Sequence, residues 1–333
     1  MRLLRLLILS LLCLSGSAGA LTLKIATLAP DGSDWMKRMK AGAKEIAQRT
    51  DNRVKFKFYP GGVMGDDEAV LRKIRIGQLH GAAVTSGSLA PYYPDSQVYS
   101  LPLRFQSFAE IDYIRQRMDP VLMAGFRNSG FVTFGLTEGG LAYALSKSPV
   151  RSVADLQKLK VWVPDNDAMG ISAMQTFGID PIPLSIGDVL PSLQTGLINT
   201  VAASPIAAIA LQWHNQVKYL TDLPLLYIYA VFALQEKAYN KIAEADRAIV
   251  DEIMTKTFQE IEKQNRNDNV AAFAALQQQG IELIKPDPEH LNEWQTKADE
   301  SVVNMVAKQI ISEAAVTQLN RLLQEYRSQP QEQ

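Results

Sequence analysis

Residues 21–28, LTLKIATL, form a short and mostly apolar run that predicts a buried β-strand. The run ends at the turn residues Pro30-Asp31-Gly32-Ser33, where Ser33 or Asp34 can cap a following helix. Apolar side chains then recur at roughly helical spacing, at Trp35, Met36, Met39, Ala43 and Ile46. A strand followed by a turn and a helix is the repeating unit of α/β proteins.

The same order of elements returns after this first unit. Residues 54–59, VKFKFY, alternate in polarity like a strand and stop at a Pro-Gly-Gly turn. A helix carrying Val70, Ile74 and Leu79 then leads to a short apolar strand at residues 81–84. Strands that alternate with helices predict a parallel sheet covered by helices on both faces.

A second series of elements begins near Leu141. We predict its strands at residues 142–146, 160–163 and 199–202, and its helices at residues 168–177 and 186–196. Residues 243–279 contain neither glycine nor proline and carry apolar side chains along their length. This segment predicts one very long helix or two nearly continuous ones.

The N-terminus has the features of an export signal. The basic start MRLLR precedes a short apolar run, and Ala18-Gly19-Ala20 supplies small residues for cleavage. We therefore expect residues 1–20 to be a cleaved signal peptide and the mature protein to be periplasmic. Leu12 before Cys13 argues against a lipid anchor. Because Cys13 is the only cysteine, the mature chain would contain no disulfide.

Composition argues against several functions. The formal net charge is -1 and no segment is strongly basic, so nucleic acid is not an expected partner. The three histidines, at 80, 214 and 290, lie far apart, and no catalytic or nucleotide-binding motif accompanies them. Residues 165–167, DND, weakly resemble a calcium loop, but Met169 occupies a ligand position and no suitable Glu follows. We expect no enzymatic activity, no metal and no cofactor.

Five segments occur in an order and spacing that match one known family. They are residues 24–30 (KIATLAP), 58–65 (FYPGGVMG), 71–79 (LRKIRIGQL), 101–103 (LPL) and 183–196 (PLSIGDVLPSLQTG). From about Leu23 to about Trp294 the chain resembles the DctP-type solute receptors of tripartite ATP-independent periplasmic (TRAP) transporters. The resemblance implies an α/β, two-lobed periplasmic binding protein of class II-like type with a long connecting helix.

The resemblance also implies lobe boundaries. Lobe I would comprise residues 21–139 and 230–268, and lobe II residues 140–229 and 269–315. Residues 316–333 would form a C-terminal helix and a polar tail.

The chain departs from the family where the ligand binds. Residues 156–164, LQKLKVWVP, match a strand whose Arg pairs with the substrate carboxylate in the family, but Trp162 stands in its place. A second family Arg falls on Leu141 or Ala142, and a family Asn falls on Ser204. A polar position of the first lobe falls near Ser86. The binding residues implied by the resemblance are Trp162, Leu141, Ala142, Ser204, Ser86, Thr85 and Ala203.

These departures replace charge by apolar or small side chains. They predict capture of a small apolar or amphipathic ligand between the lobes, for delivery to the membrane permease subunits of a TRAP transporter. The chain resembles a branch of the family that lacks the carboxylate-binding Arg and is associated with periplasmic tetratricopeptide-repeat partners. Two alternatives stay open. In the first, Trp162 is a core residue and Arg104 or Lys147 holds an ordinary carboxylate ligand. In the second, the scaffold serves a periplasmic enzyme.

Overall fold

The computed structural model describes residues 20–329, so residues 1–19 of the expected signal peptide and the end of the polar tail lie outside it. The strands are β1 (Leu21–Thr27), β2 (Val54–Tyr59), β3 (Gly81–Thr85), β4 (Phe131–Val132), β5 (Leu136–Ser146), β6 (Trp162–Pro164), β7 (Ile182–Leu184), β8 (Thr200–Ala203), β9 (Tyr219–Thr221), β10 (Leu226–Gln235) and β11 (Glu282–Ile284).

The helices follow the same chain order. They are α1 (Asp34–Arg49), α2 (Asp67–Arg75), α3 (Phe108–Asn128), α4 (Val153–Leu156), α5 (Ala168–Thr176), α6 (Ile186–Thr195), α7 (Pro205–Ala210), α8 (Glu236–Tyr239), α9 (Glu244–Gln278), α10 (Leu291–Ala307) and α11 (Glu313–Ser328). Short 3₁₀ segments lie at Gly87–Leu89, Pro94–Ser100, Trp213–Gln216 and Pro288–His290.

One large sheet organises the molecule, in the order β11-β9-β5-β10-β3-β1-β2, with β4 paired to β10 and β8 to β5. Strands β1, β2 and β3 are parallel, as predicted. The expectation of a parallel sheet is wrong for the middle, because β10 is antiparallel to both β3 and β5. The chain leaves the first half of the sheet along β5 and returns along β10, so these two strands must run in opposite directions.

The first half of the sheet is covered on two sides. On one side α1 and the start of α9 pack on β1 through Met39, Ile46 and Phe258. Ser33 caps α1 by accepting a hydrogen bond from the Met36 backbone N–H at 3.3 Å, as its position in the sequence predicts. On the other side α2 and α3 pack on β3, and Leu79, expected within the helix, lies beyond the end of α2.

The second half of the sheet has its own apolar clusters. Leu145, Val201 and Leu220 from β5, β8 and β9 pack with residues of α6 and α7. A neighbouring cluster surrounds Trp294 of α10, which lies near Phe177 at 5.8 Å between ring centroids.

The long helix predicted from residues 243–279 is a single helix, α9, of 35 residues. Its first part packs in the core of the first half through Val250 and Phe258. Its last part packs in the core of the second half through Leu276. One continuous helix therefore contacts both halves of the molecule.

The two long strands contain a bulge where the halves meet. Tyr229 pairs with Glu138 and Ile228 with Gly140, so Gly139 is the extra residue. Gly140 has φ +98°, and a Cβ there would lie 2.7 Å from Asn269 Nδ2 of α9. The local backbone and the close helix both require glycine at this point.

Candidate ligand-binding site

Trp162 opens strand β6 and is buried, with 6% of its surface exposed. Its indole Nε1 donates a hydrogen bond to the Leu184 carbonyl at 2.9 Å. Its ring meets that of Trp213 edge to face, with centroids 5.2 Å apart. The single polar atom of Trp162 is satisfied inside the second half, and the rest of the side chain provides apolar aromatic surface.

Ala203 and Ser204 lie close to Trp162 in the fold. A bridge between Val161 and Thr200 joins β6 to β8, and Ala203 belongs to the same apolar cluster as Trp162. Ser204 follows β8 and is 2% exposed, but its hydroxyl does not cap α7. The structure thus places these three predicted residues on, or directly after, the neighbouring segments β6 and β8.

Leu141 and Ala142 occupy β5 just after the bulge, and both are buried. Leu141 packs in a different cluster from Trp162, together with Tyr227 and Met169. Ala142 pairs with Leu226 in the sheet. Neither position brings a polar group to the region between the halves.

Thr85 is the last residue of β3 in the first half of the sheet, and Ser86 follows it. Asp67 organises this loop, because its Oδ2 accepts hydrogen bonds from the Thr85 N–H (3.1 Å), the Thr85 hydroxyl (3.2 Å) and the Ser88 hydroxyl (2.6 Å). Burial raises the pKa of the Asp67 carboxyl. Ser86 is 3% exposed and donates its N–H to the Tyr229 carbonyl at 3.2 Å.

Two side-chain hydrogen bonds link the two halves next to this loop. Asn166 Nδ2 donates to Glu68 Oε2 at 3.2 Å, and Gln97 Nε2 donates to Asp167 Oδ1 at 3.0 Å. Asp167 also caps α5 by accepting from the Gly170 N–H at 2.9 Å. Burial raises the pKa of the Asp167 carboxyl.

These linking residues were missed from the sequence, where residues 165–167 were weighed only as a weak calcium loop. The signal that could have found them is their place directly after the carboxyl end of β6, since ligands of α/β folds bind outside such strand ends. Their partner Gln97 carries no local sequence signal.

The cations considered as alternatives already have partners. Arg104 Nη1 lies 2.9 Å from Asp299 Oδ1, with the Arg104 side chain 14% exposed. Lys147 Nζ donates a hydrogen bond to the Leu193 carbonyl at the end of α6. A carboxylate ligand would have to compete with these interactions for either cation.

Other features of residues 20–329 bear on the remaining kinds of site. No group of three or more His, Asp or Glu residues is arranged there to hold a metal ion. The rings of His80 and His214 each have a hydrogen-bonding partner, the Lys24 N–H and the Ala208 carbonyl. A separate groove of about 350 Å³ lies between α1 and α9 and contains none of the predicted residues. Nor does the described chain include a helix long and apolar enough to cross a membrane.

Two halves on one mixed sheet, joined by β5, β10 and α9, define a two-lobed α/β protein of the periplasmic solute-receptor class. The sequence profile of the bacterial extracellular solute-binding protein family 7, DctP, matches residues 25–309. The chain belongs to this family.

Known relatives agree with this assignment. The sialic acid-binding periplasmic protein SiaP of Vibrio cholerae is 22% identical over 315 residues, which cover 92% of this chain and 97% of SiaP. A galactonate-bound sugar acid binding protein, DctPAm, from Advenella mimigardefordensis has a TM-score of 0.83 at 17% identity, covering 92% of this chain and 98% of the other.

A second solved relative is the TRAP periplasmic solute-binding protein of Pseudomonas putida F1 with bound D-glucuronate. Its TM-score is 0.80 at 22% identity, and the match covers 94% of this chain and 98% of that one. The predicted fold class and the prediction of a TRAP-type solute receptor are therefore confirmed. Members of the family are binding proteins, which agrees with the expectation that this chain is not an enzyme.

Proposed function

We propose that this protein is exported to the periplasm, captures a small apolar or amphipathic organic ligand between its two lobes, and delivers it to the membrane permease of a TRAP transporter. The observation that carries the proposal is Trp162, a buried aromatic side chain that contacts Trp213 in the strand position where the family resemblance implies an Arg. We propose that one lobe comprises residues 21–139 with 230–268 and the other residues 140–229 with 269–315.

Electrostatics favours such a ligand over a simple acid. A carboxylate enclosed by protein loses its hydration and needs a cation beside it. The two family Arg positions carry Trp162 and either Leu141 or Ala142, all three of which are buried here. The surface offered at Trp162 and Ala203 is apolar, with Ser204 beside it as a small polar group.

The relatives bind a different class of compound. The names of SiaP, of the Advenella protein and of the Pseudomonas protein refer to sialic acid, galactonate and glucuronate. We propose that this chain belongs instead to the branch without the carboxylate-binding Arg. A periplasmic tetratricopeptide-repeat protein is the further partner that this branch implies.

The test is to identify what the receptor carries. Mass spectrometry of small molecules released from protein purified from its native periplasm should yield an apolar or amphipathic compound. Isothermal titration with C4 dicarboxylates and sugar acids should show no binding tighter than about 1 mM, which corresponds to roughly -4 kcal/mol.

Micromolar binding of such an acid would contradict the proposal. In that case Arg104→Ala or Lys147→Ala should abolish the binding, and the receptor would be an ordinary carboxylate carrier.

A further inference from the structure

Hydrogen-bond acceptors exceed donors at the place where the two halves meet. Asp67 and Asp167 lie one residue away from Glu68 and Asn166, the pair whose hydrogen bond links the halves. Gln97 binds Asp167 from the opposite half. Asp67 also accepts from Ser88, and a Cβ on the preceding Gly87 would lie 2.9 Å from Gln97 Nε2, so the three side chains lie around the same junction.

Both carboxyl groups are buried, although each residue as a whole is partly exposed. Asp67 and Asp167 each retain part of their accessible surface. Burial is nevertheless the largest influence on both, and it raises the pKa of each carboxyl. Both carboxyl groups therefore lie in surroundings that disfavour their charged form.

Neither carboxylate has a cationic partner within residues 20–329. The hydrogen bonds to Asp67 come from Thr85 and Ser88, and all of them end on Oδ2, which leaves the lone pairs of Oδ1 available. Asp167 is bonded by Gln97 and by the backbone of α5. Burying a charged carboxylate costs free energy unless a positive charge, from the protein or from a ligand, lies beside it.

Gln97 adds an independent sign of a missing donor. Its side chain is 3% exposed, its Nε2 is used by Asp167, and its Oε1 is buried without any hydrogen-bonding partner. Buried amide oxygens are nearly always paired in folded proteins, so an orphan at a ligand cleft indicates a group that binds there.

Nearby cations do not fill this role. Arg72 lies 3.3 Å from Glu68 on the exposed face of α2. Lys73 donates its Nζ to the Met64 carbonyl at 2.6 Å. Glu68, beside Asp67 in the first turn of α2, is a further acidic residue, so the junction is rich in acceptors.

We propose that the ligand carries a protonated amine, which binds at Asp67, Asp167 and the Oε1 of Gln97, while its apolar part contacts the surface at Trp162. The proposal rests on the proposed function and makes it more specific, because it assigns the polar end of an amphipathic ligand. A site with two carboxylates, an amide oxygen and no guanidinium is complementary to an organic cation and repels an acid.

Two experiments test the proposal. Small molecules released from the natively purified receptor should include one with a basic nitrogen, detected by positive-ion mass spectrometry and amine derivatisation. In parallel, the small molecules of a bacterial cell extract are separated by ion exchange into cationic, neutral and anionic fractions. Only the cationic fraction should raise the melting temperature of the ligand-free receptor.

Charge-neutral variants then locate the site. Asp67→Asn and Asp167→Asn should each weaken binding of the active fraction by on the order of tenfold or more, since each removes a charge-assisted hydrogen bond. Asp165→Asn, the same change at an exposed neighbour, should alter it less than about twofold. Asp67→Asn leaves the cap of α5 intact, so it keeps the test valid if Asp167→Asn fails to fold.

Each outcome is decisive. An amphipathic natural ligand without a basic nitrogen would overturn the amine site while leaving the proposed function in place. A carboxylate without a basic nitrogen would overturn both. Stabilisation by the neutral or anionic fraction alone, by no fraction, or equal effects of Asp67→Asn and Asp165→Asn would also overturn the amine site.

Discussion

Trp162 is a proposed ligand-binding residue that the structure places in a packed core. It stands where the family resemblance implies a ligand-binding residue, yet its ring packs with Trp213 and its indole N–H is bonded to the Leu184 carbonyl. At 6% exposure most of its surface is in the core of the second half. Substitution of Trp162 should therefore affect stability as well as binding.

We expect Trp162→Ala to lower the free energy of unfolding by about 3–5 kcal/mol, because truncating a buried aromatic ring leaves a cavity. Trp162→Phe keeps most of the apolar volume and should cost less, although it leaves the Leu184 carbonyl without its donor. Urea unfolding followed by circular dichroism measures both variants. A loss below about 1 kcal/mol for Trp162→Ala would mean that the ring is not part of the core.

Arg53 and Asp246 form a second informative pair. Asp246, in the first turn of α9, accepts from Arg53 Nε at 2.9 Å and Nη2 at 2.8 Å, and its side chain is 5% exposed. The hydrogen bond from Arg53 lowers the pKa of Asp246 below its usual value. A lowered pKa in the folded state stabilises the fold above the pKa of the unfolded chain.

This contribution should be complete at neutral pH and should disappear as the pH falls through the lowered pKa of Asp246. Asp246→Asn should therefore flatten the acid side of the stability curve, measured as melting temperature from pH 7 to pH 3. The matched control is Asp51→Asn. The Asp51 carboxylate also bonds Arg53, but the Asp51 side chain is 85% exposed. An identical acid profile in Asp246→Asn and the wild type would contradict the prediction.

At the scale of elements, the crossing of β5 and α9 is held by polar contacts. Glu138 of β5 is fully buried, and its carboxylate accepts from Arg266 and Tyr227. Its N–H donates to Glu262 at 2.6 Å and its carbonyl accepts from Asn265 at 2.9 Å. The long helix is therefore attached to β5 directly before the bulge.

Glu138→Gln should reduce stability by on the order of 3 kcal/mol, because it leaves the half-buried Arg266 guanidinium without its enclosed counter-charge. The Asp112 carboxylate also bonds Arg266, but the Asp112 side chain is 54% exposed. Asp112→Asn should therefore reduce stability by less than about 1 kcal/mol. Equal losses in the two variants, measured by denaturant unfolding, would show that burial does not determine the strength of these pairs.

Gly140 sets the geometry of the bulge in β5. Gly140→Ala places a Cβ in a left-handed backbone conformation and 2.7 Å from Asn269, so it should destabilise the protein by more than about 1 kcal/mol. In an Asn269→Ala background the same substitution should cost less, because the contact is gone and only the backbone strain remains. Wild-type stability of Gly140→Ala would show that the bulge does not require glycine.

At the scale of the whole molecule, the connections between the halves are of two kinds. Strands β5 and β10 and helix α9 are continuous chain, whereas Glu68–Asn166 and Gln97–Asp167 are hydrogen bonds and Arg104–Asp299 is an ion pair between separate segments. We expect opening of the proposed lobes to break such side-chain contacts while the three continuous elements bend. Hinge closure of this kind lets a ligand shift the population towards the closed form.

Spin labels at Val63 and Asp180, both exposed, should report this movement. Since Cys13 is the only native cysteine and lies in the expected signal peptide, cysteines introduced at these positions can be labelled uniquely. The distance between the labels should shorten when ligand is added, and Gln97→Ala with Asn166→Ala should populate the longer distance. An unchanged distribution with saturating ligand would favour a rigid carrier.

The sequence by itself determined the class of protein and several of its elements. Strand patterns at residues 21–28 and 54–59, the Ser33 cap and the glycine-free, proline-free run at residues 243–279 each depend on neighbours along the chain, and the structure confirms the elements they predict. Residues 136–141 were missed as part of β5, because a charge and two glycines interrupt the apolar pattern.

Only the tertiary structure decided which residues meet between the halves. Asn166 and Glu68 are 98 residues apart in sequence, and Gln97 and Asp167 are 70 apart, so no local pattern relates them. The antiparallel course of β5 and β10 and the packing of Trp162 on Trp213 likewise follow from how distant segments fold together. The physical reason is that periodicity and capping act over a few residues, whereas burial, counter-charge and unpaired acceptors depend on everything that surrounds a side chain.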